Sequence, residues 1–259
     1  MTDDKLLVDI AVRAGEIMLS SGAETYRVED TMARILAIHH PRANEAFVLA
    51  TGITLSLTTD SDEKMTIVKR IRSRNTNLYR VFMVNEVSRQ LCTGKITLEE
   101  ACQRLEEIAS TRQYGKVMQN VGYVGVAVFF TLLLGGNLPD CVCAAIVGCV
   151  LAAVIHLVEW VGVNSFCENA LSSMMLALAA MALGQAMTTP VNTDLVIIGT
   201  LMSLVPGTIF TNAVRDTLNG DYSSGVARMM EAVVVALAIA VGVGAGIALF
   251  HYMMGGGLL

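Results

Sequence analysis

Beyond residue 116 the hydrophobic positions stop alternating with polar ones and run together. Val117–Pro139, Cys141–Val158, Asn169–Thr193, Leu195–Val214 and Ala232–Leu259 contain no Asp, Glu, Lys or Arg. A helix crosses a hydrocarbon core with about 20 apolar residues, range roughly 17–25, and all five stretches reach that range. Five successive helices without polar faces do not fit a water-soluble core. The pattern predicts five transmembrane α-helices, at about 117–136, 141–158, 169–187, 195–214 and 232–253. Gly242 and Gly246, four residues apart, offer the fifth a close-packing surface for another helix.

Residues 1–116 follow other periods. Leu6, Leu7, Ile10, Ile17 and Met18 repeat at helical spacing, and a second helix begins near "SGAETYRVED", where Ser21 and Glu24 have capping-box spacing. Arg27 and Asp30 follow at three-residue steps, placed to pair along one helix face. "AFVLATGITLSLTTD" and "KMTIVKRI", rich in β-branched residues and joined at "DSDE", read as a hairpin. Asn77–Cys92 and Thr97–Ile108 return to helical spacing, with Thr97 and Glu100 set as a second capping box. The fold class expected is a membrane protein in which a small α+β cytoplasmic domain, residues 1–116, precedes a five-helix transmembrane domain, residues 117–259.

Composition sharpens that division. Of 259 residues 54% are hydrophobic and 16% charged, against about a quarter charged in soluble proteins. Residues 1–116 hold 16 Lys/Arg and 16 Asp/Glu, whereas residues 117–259 hold two basic residues, Arg215 and Arg228, and seven acidic ones. Basic residues stay on the cytoplasmic side, so the N-terminus is expected inside a bacterial plasma membrane and, after five crossings, the C-terminus outside. Both remaining arginines fall between spans four and five, which this topology also places inside. The first 30 residues show no apolar core of a cleaved signal peptide. The six cysteines form no C-x-x-C pair and no His stands at zinc-ligand spacing, so they read as small apolar packers. No metal and no cofactor is expected.

Candidate chemistry gathers in "TLMSLVPGTIFTNAVRD", where Pro206 and Gly207 interrupt an apolar run. A proline removes one helical hydrogen bond and clashes one turn back. In lipid the freed groups need polar neighbours or a water-filled cavity. Two readings remain open: a plain kink, or a broken helix whose exposed ends meet a solute. Asn212, Arg215, Asp216 and Arg228 lie just beyond, and ionisable residues at such depth either mark the end of a span or serve a path. Candidate proton carriers are Asp216, then Glu159 with His156, then Asp140. The last of these lies in the external turn "GGNLPD".

"GAETYRVEDTM", "TGITLSLTT", "GGNLPD" and "LVPGTIFTNAVRD", in that order, make nearly the whole chain resemble the threonine/serine exporter family. That resemblance implies either one long chain of about ten spans, or two chains, a five-span subunit with a cytoplasmic domain and a smaller hydrophobic subunit. This chain is similar to the larger subunit of the two-chain form, which the resemblance associates with succinate export, the fused form with threonine and serine. The positions that match are Gly22, Ala23 and Glu24; Gly135, Gly136 and Asp140; and Pro206, Gly207, Asn212, Ala213, Asp216, Gly225 and Arg228. Arg215 stands where two-chain members vary.

The function expected is a proton-coupled secondary exporter of small polar metabolites, partnered by the smaller subunit or a second copy. Pathway residues would be Pro206, Gly207, Asn212, Arg215, Asp216 and Arg228, with Glu24 and Arg27 in the cytoplasmic motif. A rival is a non-transporting membrane module whose cytoplasmic domain senses a ligand or recruits a partner. An embedded enzyme is disfavoured, because neither HExxH nor Gly-x-Ser-x-Gly occurs.

Overall fold

The computed structural model describes residues 3–39, 44–58, 64–72, 74–111 and 113–255. They form two compact units, Met1–Gln113 with Gly207–Met230, and Tyr114–Pro206 with Glu231–Leu259. The first unit is therefore discontinuous in sequence. Residues 207–230, which begin within the fourth apolar run, pack with the N-terminal residues.

In the first unit α1 (Asp3–Ser20) and α2 (Thr25–Leu36) lead into strands β1 (Asn44–Leu49), β2 (Gly52–Thr58) and β3 (Lys64–Arg70), then α3 (Leu78–Cys92) and α4 (Leu98–Ser110). The face of α1 carrying Leu7, Ile10, Ala14, Ile17 and Met18 is buried, as its spacing requires. It packs on Val28, Met32 and Ile35 of α2 and on Ile53, Leu55 and Leu57 of β2, one inward-facing set at period two. A Cβ at Gly15 would lie 2.5 Å from Met32 Sδ, so α1 approaches α2 where it has no side chain. The predicted capping box at Thr97 and Glu100 forms, with both reciprocal hydrogen bonds.

Two local expectations change. The apolar stretch read as one hairpin arm folds back at Ala50 and Thr51, so the sheet is a three-stranded antiparallel meander, β1–β2–β3, with Leu49 opposite Gly52. That turn is held by its tertiary partners. The Ala50 N–H donates to Ser224 Oγ (3.1 Å), and Arg74 Nη1 donates to the Ala50 carbonyl (2.9 Å). The turn "DSDE" lies outside the described residues. The Ser21–Glu24 capping box does not form. After α1 ends, the chain turns at Gly22 (φ +83°), the left-handed region that favours glycine. Helix α2 then starts only at Thr25, so Glu24 itself is the N-cap residue, and its side chain makes no capping bond.

The second unit contains α5 (Lys116–Leu133), α6 (Leu138–Val161), α7 (Ser165–Ala186), α8 (Thr193–Leu201) and most of α10 (Tyr222–Met253). Asn137, Asn164 and Asn192 cap α6, α7 and α8, each accepting a backbone N–H three residues on. Small residues let these helices approach closely. A Cβ at Gly148 of α6 would lie 3.1 Å from Val124 Cα of α5, and one at Gly246 of α10 would lie 2.6 Å from the Met174 carbonyl of α7. The Gly242/Gly246 face expected to pack does so, against Ala170, Ser173 and Met174.

Among the described residues, α5, α6, α7 and α10 are long and apolar enough to cross a membrane. The fourth apolar run, expected as one span over 195–214, is divided. Helix α8 ends at Leu201, residues 202–206 are non-helical, and α9 (Gly207–Leu218) begins one residue after Pro206.

Candidate functional site

Around Pro206 the helix terminates and restarts, where a kink would have left it continuous. The last N–H groups before the break turn back on the final carbonyls of α8, Ser203 to Thr200 (3.4 Å) and Leu204 to Leu201 (2.8 Å). Ser203 Oγ adds a bond to the Thr200 carbonyl (2.9 Å), and Thr211 Oγ1 one to the Gly207 carbonyl (2.8 Å). At the end of α8 the Ser203 hydroxyl thus supplements the backbone donors, while the Thr211 bond lies within the first turn of α9.

Helix α9 and the first turns of α10 form a tight helical hairpin within the first unit. Gly220 (φ +90°) makes the turn, and Asp221 Oδ1 accepts the Ser224 N–H (3.1 Å) at the start of α10. Gly225 lies against α9, where a Cβ would stand 3.0 Å from the Ala213 carbonyl and 3.1 Å from the Thr217 N. That contact sets the crossing, and the crossing turns Asn212, Arg215, Asp216 and Arg228 to the loop between α1 and α2.

Each of these four side chains meets a different residue of that loop or of the α2 start. Asn212 Nδ2 donates to the Gly22 carbonyl (2.7 Å), and Arg228 Nη2 donates to the Ala23 carbonyl (2.8 Å). Asp216 Oδ1 accepts both the Thr25 N–H (3.1 Å) and the Thr25 hydroxyl (3.0 Å). Its other oxygen, Oδ2, lies 3.1 Å from Arg228 Nε, in an ion pair whose side chains are 5% and 0% exposed. Arg215 Nη1 pairs with Glu24 Oε1, and Arg27 Nε lies 3.4 Å from Glu24 Oε2.

The N-terminal motif explains why the site forms here. A helix start leaves its first N–H groups without partners, and Glu24, at the N-cap, turns its carboxylate to two arginines. The vacant capping role falls to Asp216, a carboxylate at the positive end of the α2 dipole. Burial works against charge on Glu24, yet its own backbone N–H, Arg215 and Arg27 outweigh it and hold the carboxyl below its usual 4.5. Asp216 is fully buried, with Arg228 against one carboxylate oxygen and the two Thr25 donors on the other. Burial raises Glu29, one turn further along α2, with Asp221 and Asp216 adding to the shift, although the Val48 N–H (2.8 Å) stabilises its charge.

Of the residues singled out from sequence, Glu24, Arg27, Asn212, Arg215, Asp216 and Arg228 therefore come together, and Gly207 opens the helix that carries three of them. Pro206 closes the preceding segment of the second unit. Three others belong to that unit and have different surroundings. Asp140 accepts the Asn137 N–H (2.9 Å) and the Asn192 N–H (2.7 Å), joining the start of α6 to the start of α8. His156 Nε2 lies 2.8 Å from Asn120 Oδ1 of α5, and its Nδ1 lies 3.6 Å from Glu159. Sequence reading missed Thr25 and Ser224. Thr25 follows directly on an N-cap residue whose side chain is engaged elsewhere, which is the one local signal it carries.

A protein-family model described as "Putative threonine/serine exporter" matches residues 9–250. The chain belongs to the threonine/serine exporter family. It is 25% identical over 233 residues to a "Probable threonine/serine exporter" of Mycobacterium tuberculosis, an alignment covering 88% of this chain and 43% of that protein. It is 22% identical over 249 residues to "Pheromone-regulated membrane protein 10" of Eremothecium gossypii, covering 93% of this chain and 33% of that protein. The chain thus spans less than half the length of these curated relatives. No solved structure matches. Membership in that family, with four long apolar helices among the described residues, makes this a multi-pass membrane protein.

Proposed function

We propose that the chain is the larger subunit of a secondary exporter for a small polar metabolite, a hydroxy amino acid such as threonine or serine or a short dicarboxylate such as succinate. The family match over residues 9–250 carries this reading. The chain sits in a bacterial inner membrane with its N-terminus in the cytoplasm and its C-terminus outside. It crosses five times, through α5, α6, α7, the interrupted pair α8 and α9, and α10. With five crossings, a homologous stretch following it would lie inverted, so a smaller hydrophobic subunit or a second copy completes the path.

The solute site forms at the interruption, where Pro206 and Gly207 leave backbone groups for a polar solute and Asn212 and Arg215 reach its carboxylate. No nucleotide motif is present, so the energy comes from an ion gradient, here protons. Asp216 is the first candidate carrier, supported by its burial against Arg228. A proton on Asp216 cancels that ion pair and loosens α9 from the α1–α2 loop. Glu159 with His156, and Asp140, are the further candidates.

One observation favours a second reading, a non-transporting module whose cytoplasmic domain binds a ligand or partner. Asn212, Asp216 and Arg228 are all engaged by the chain's own loop and so act first as an anchor. Efflux separates the two readings. Cells loaded with threonine-containing dipeptides or with succinate are followed with this chain alone and with a smaller family subunit. Efflux of one solute that requires both chains supports export. No efflux of either from correctly inserted protein favours the module.

A further inference from the structure

Away from that cluster, the first unit carries a second concentration of charge. Arg13, Glu16, Ile17 and Ser20 share one face of α1. Across from them stand Arg70 and Arg72 at the end of β3, Arg80 in the first turn of α3, and Ala109 of α4. Together they line a cavity of about 420 Å³, within the roughly 300–1,000 Å³ typical of small-ligand sites.

Glu16 is the one carboxylate in the lining, and it is already shared, 3.0 Å from Arg13 Nη1 and 3.4 Å from Lys69 Nζ. Arg70, Arg72 and Arg80 have no carboxylate partner among the described residues. The Nε groups of Arg13 and Arg80 are buried with no hydrogen-bond partner among them either. Arg80 is held in place by a bond from Nη2 to the Thr111 carbonyl (2.9 Å). A neighbouring groove between α2 and α3 also has three arginines, but each is answered: Arg27 by Glu24, Arg34 by Asp30 and Arg89 by Glu86. Three uncompensated cations, Arg70 and Arg72 at the β3 end and Arg80 at the α3 start, converge here in a chain of net charge −5. Guanidinium groups recognise tetrahedral oxyanions through paired N–H donors.

We propose that this arginine-lined cavity is a binding site for a phosphate-bearing anion, distinct from the solute site. The anion bridges α1, the β3 end and the start of α3, with Arg70 and Arg72 as its outer clamp and Arg13 and Arg80 as its inner one. The phosphate belongs either to a soluble metabolite or to a lipid headgroup.

The test is a pyrophosphate titration of the full chain in phosphatidylcholine nanodiscs at fixed ionic strength, by calorimetry. Wild type should bind pyrophosphate saturably at one site. The Arg70→Gln/Arg72→Gln variant, altered at two exposed positions, should bind at least about tenfold more weakly, because each charge-assisted bond is worth about that factor. Arg34→Gln/Arg89→Gln in the neighbouring groove should bind as wild type does. Discs doped with phosphatidic acid decide the source. An unchanged affinity there assigns the site to a soluble phosphate, and competition assigns it to a headgroup. Absence of saturable binding in phosphatidylcholine discs, or equal affinity for wild type and Arg70→Gln/Arg72→Gln, overturns the proposal.

Discussion

Asp216 and Thr25, 191 positions apart, share two hydrogen bonds: one carboxylate oxygen of Asp216 accepts both the backbone N–H and the hydroxyl of Thr25. A helix start is capped by a side chain from the far end of the sequence. The same carboxylate faces Arg228, so a cap and a buried ion pair depend on one residue.

Removing that residue should therefore cost more than removing either partner bond. Asp216→Ala removes the Thr25 cap and one side of a buried ion pair together, and breaking a buried pair from one side costs about 3–5 kcal/mol. Asp216→Asn keeps an acceptor for Thr25 and should lose less. Thr25→Val removes only the hydroxyl donor, worth about 0.5–1.5 kcal/mol. Thermal unfolding of the detergent-solubilised chain should rank the three in that order. A double change at Thr25 and Asp216 should be non-additive, because the residues touch. Additive losses would mean that the two do not communicate.

The acidic groups around α2 predict opposite responses to pH. Glu24 is held below its usual 4.5, so its contribution is fully present above that value and fades as pH falls through the lower folded one. Glu24→Gln should be destabilising at neutral pH and converge on wild type in acid. Glu29 is raised, so its charge opposes folding as pH rises above 4.5. Glu29→Gln, whose amide oxygen still accepts the Val48 N–H, should gain on wild type over that rise. Unfolding midpoints measured from acid to neutral pH check both slopes, and parallel curves for either variant would count against its assignment.

Two glycines of α10 separate packing from helix propensity. A Cβ at Gly246 would lie 2.6 Å from the Met174 backbone carbonyl, whereas one at Gly244 meets nothing within 4 Å. Gly246→Ala should cost about 1–3 kcal/mol through forced separation of α7 and α10. Gly244→Ala should be neutral or slightly stabilising, since alanine is the better helix former. The thermal midpoints of the two variants make the comparison, and equal effects would show that α7 does not rest on that face.

Much of this architecture was legible in the chain. The apolar face of α1, the box at Thr97 and Glu100, and the Gly242/Gly246 contact each follow from spacing within one element. The polar members of the candidate site were legible too, since Asn212, Asp216 and Arg228 are conspicuous in an apolar setting. Their partners were not. Gly22 and Ala23 contribute only carbonyl oxygens, which every residue has, and Thr25 sits in a stretch that otherwise reads as an ordinary cap. The Ser21–Glu24 spacing suggested a capping box because the left-handed turn at Gly22, which delays the helix to Thr25, has no signature beyond the glycine. The fold-back at Ala50 was hidden for a related reason. Its turn lacks Asn-Gly or Gly-Gly chemistry and is held by Ser224 and Arg74.

The discontinuity of the first unit bears on how the molecule is made. A ribosome delivers α1 through α4 first and then all of Tyr114–Pro206 before the segment that carries Asp216 and Arg228. Until then the α2 start lacks its cap, and the Gly22 and Ala23 carbonyls have not received the bonds of Asn212 and Arg228. The N-terminal residues therefore wait for Tyr114–Pro206, the larger part of the second unit, to be synthesised before their fold closes. Premature termination anywhere in that interval yields a first unit short of its last two helical pieces.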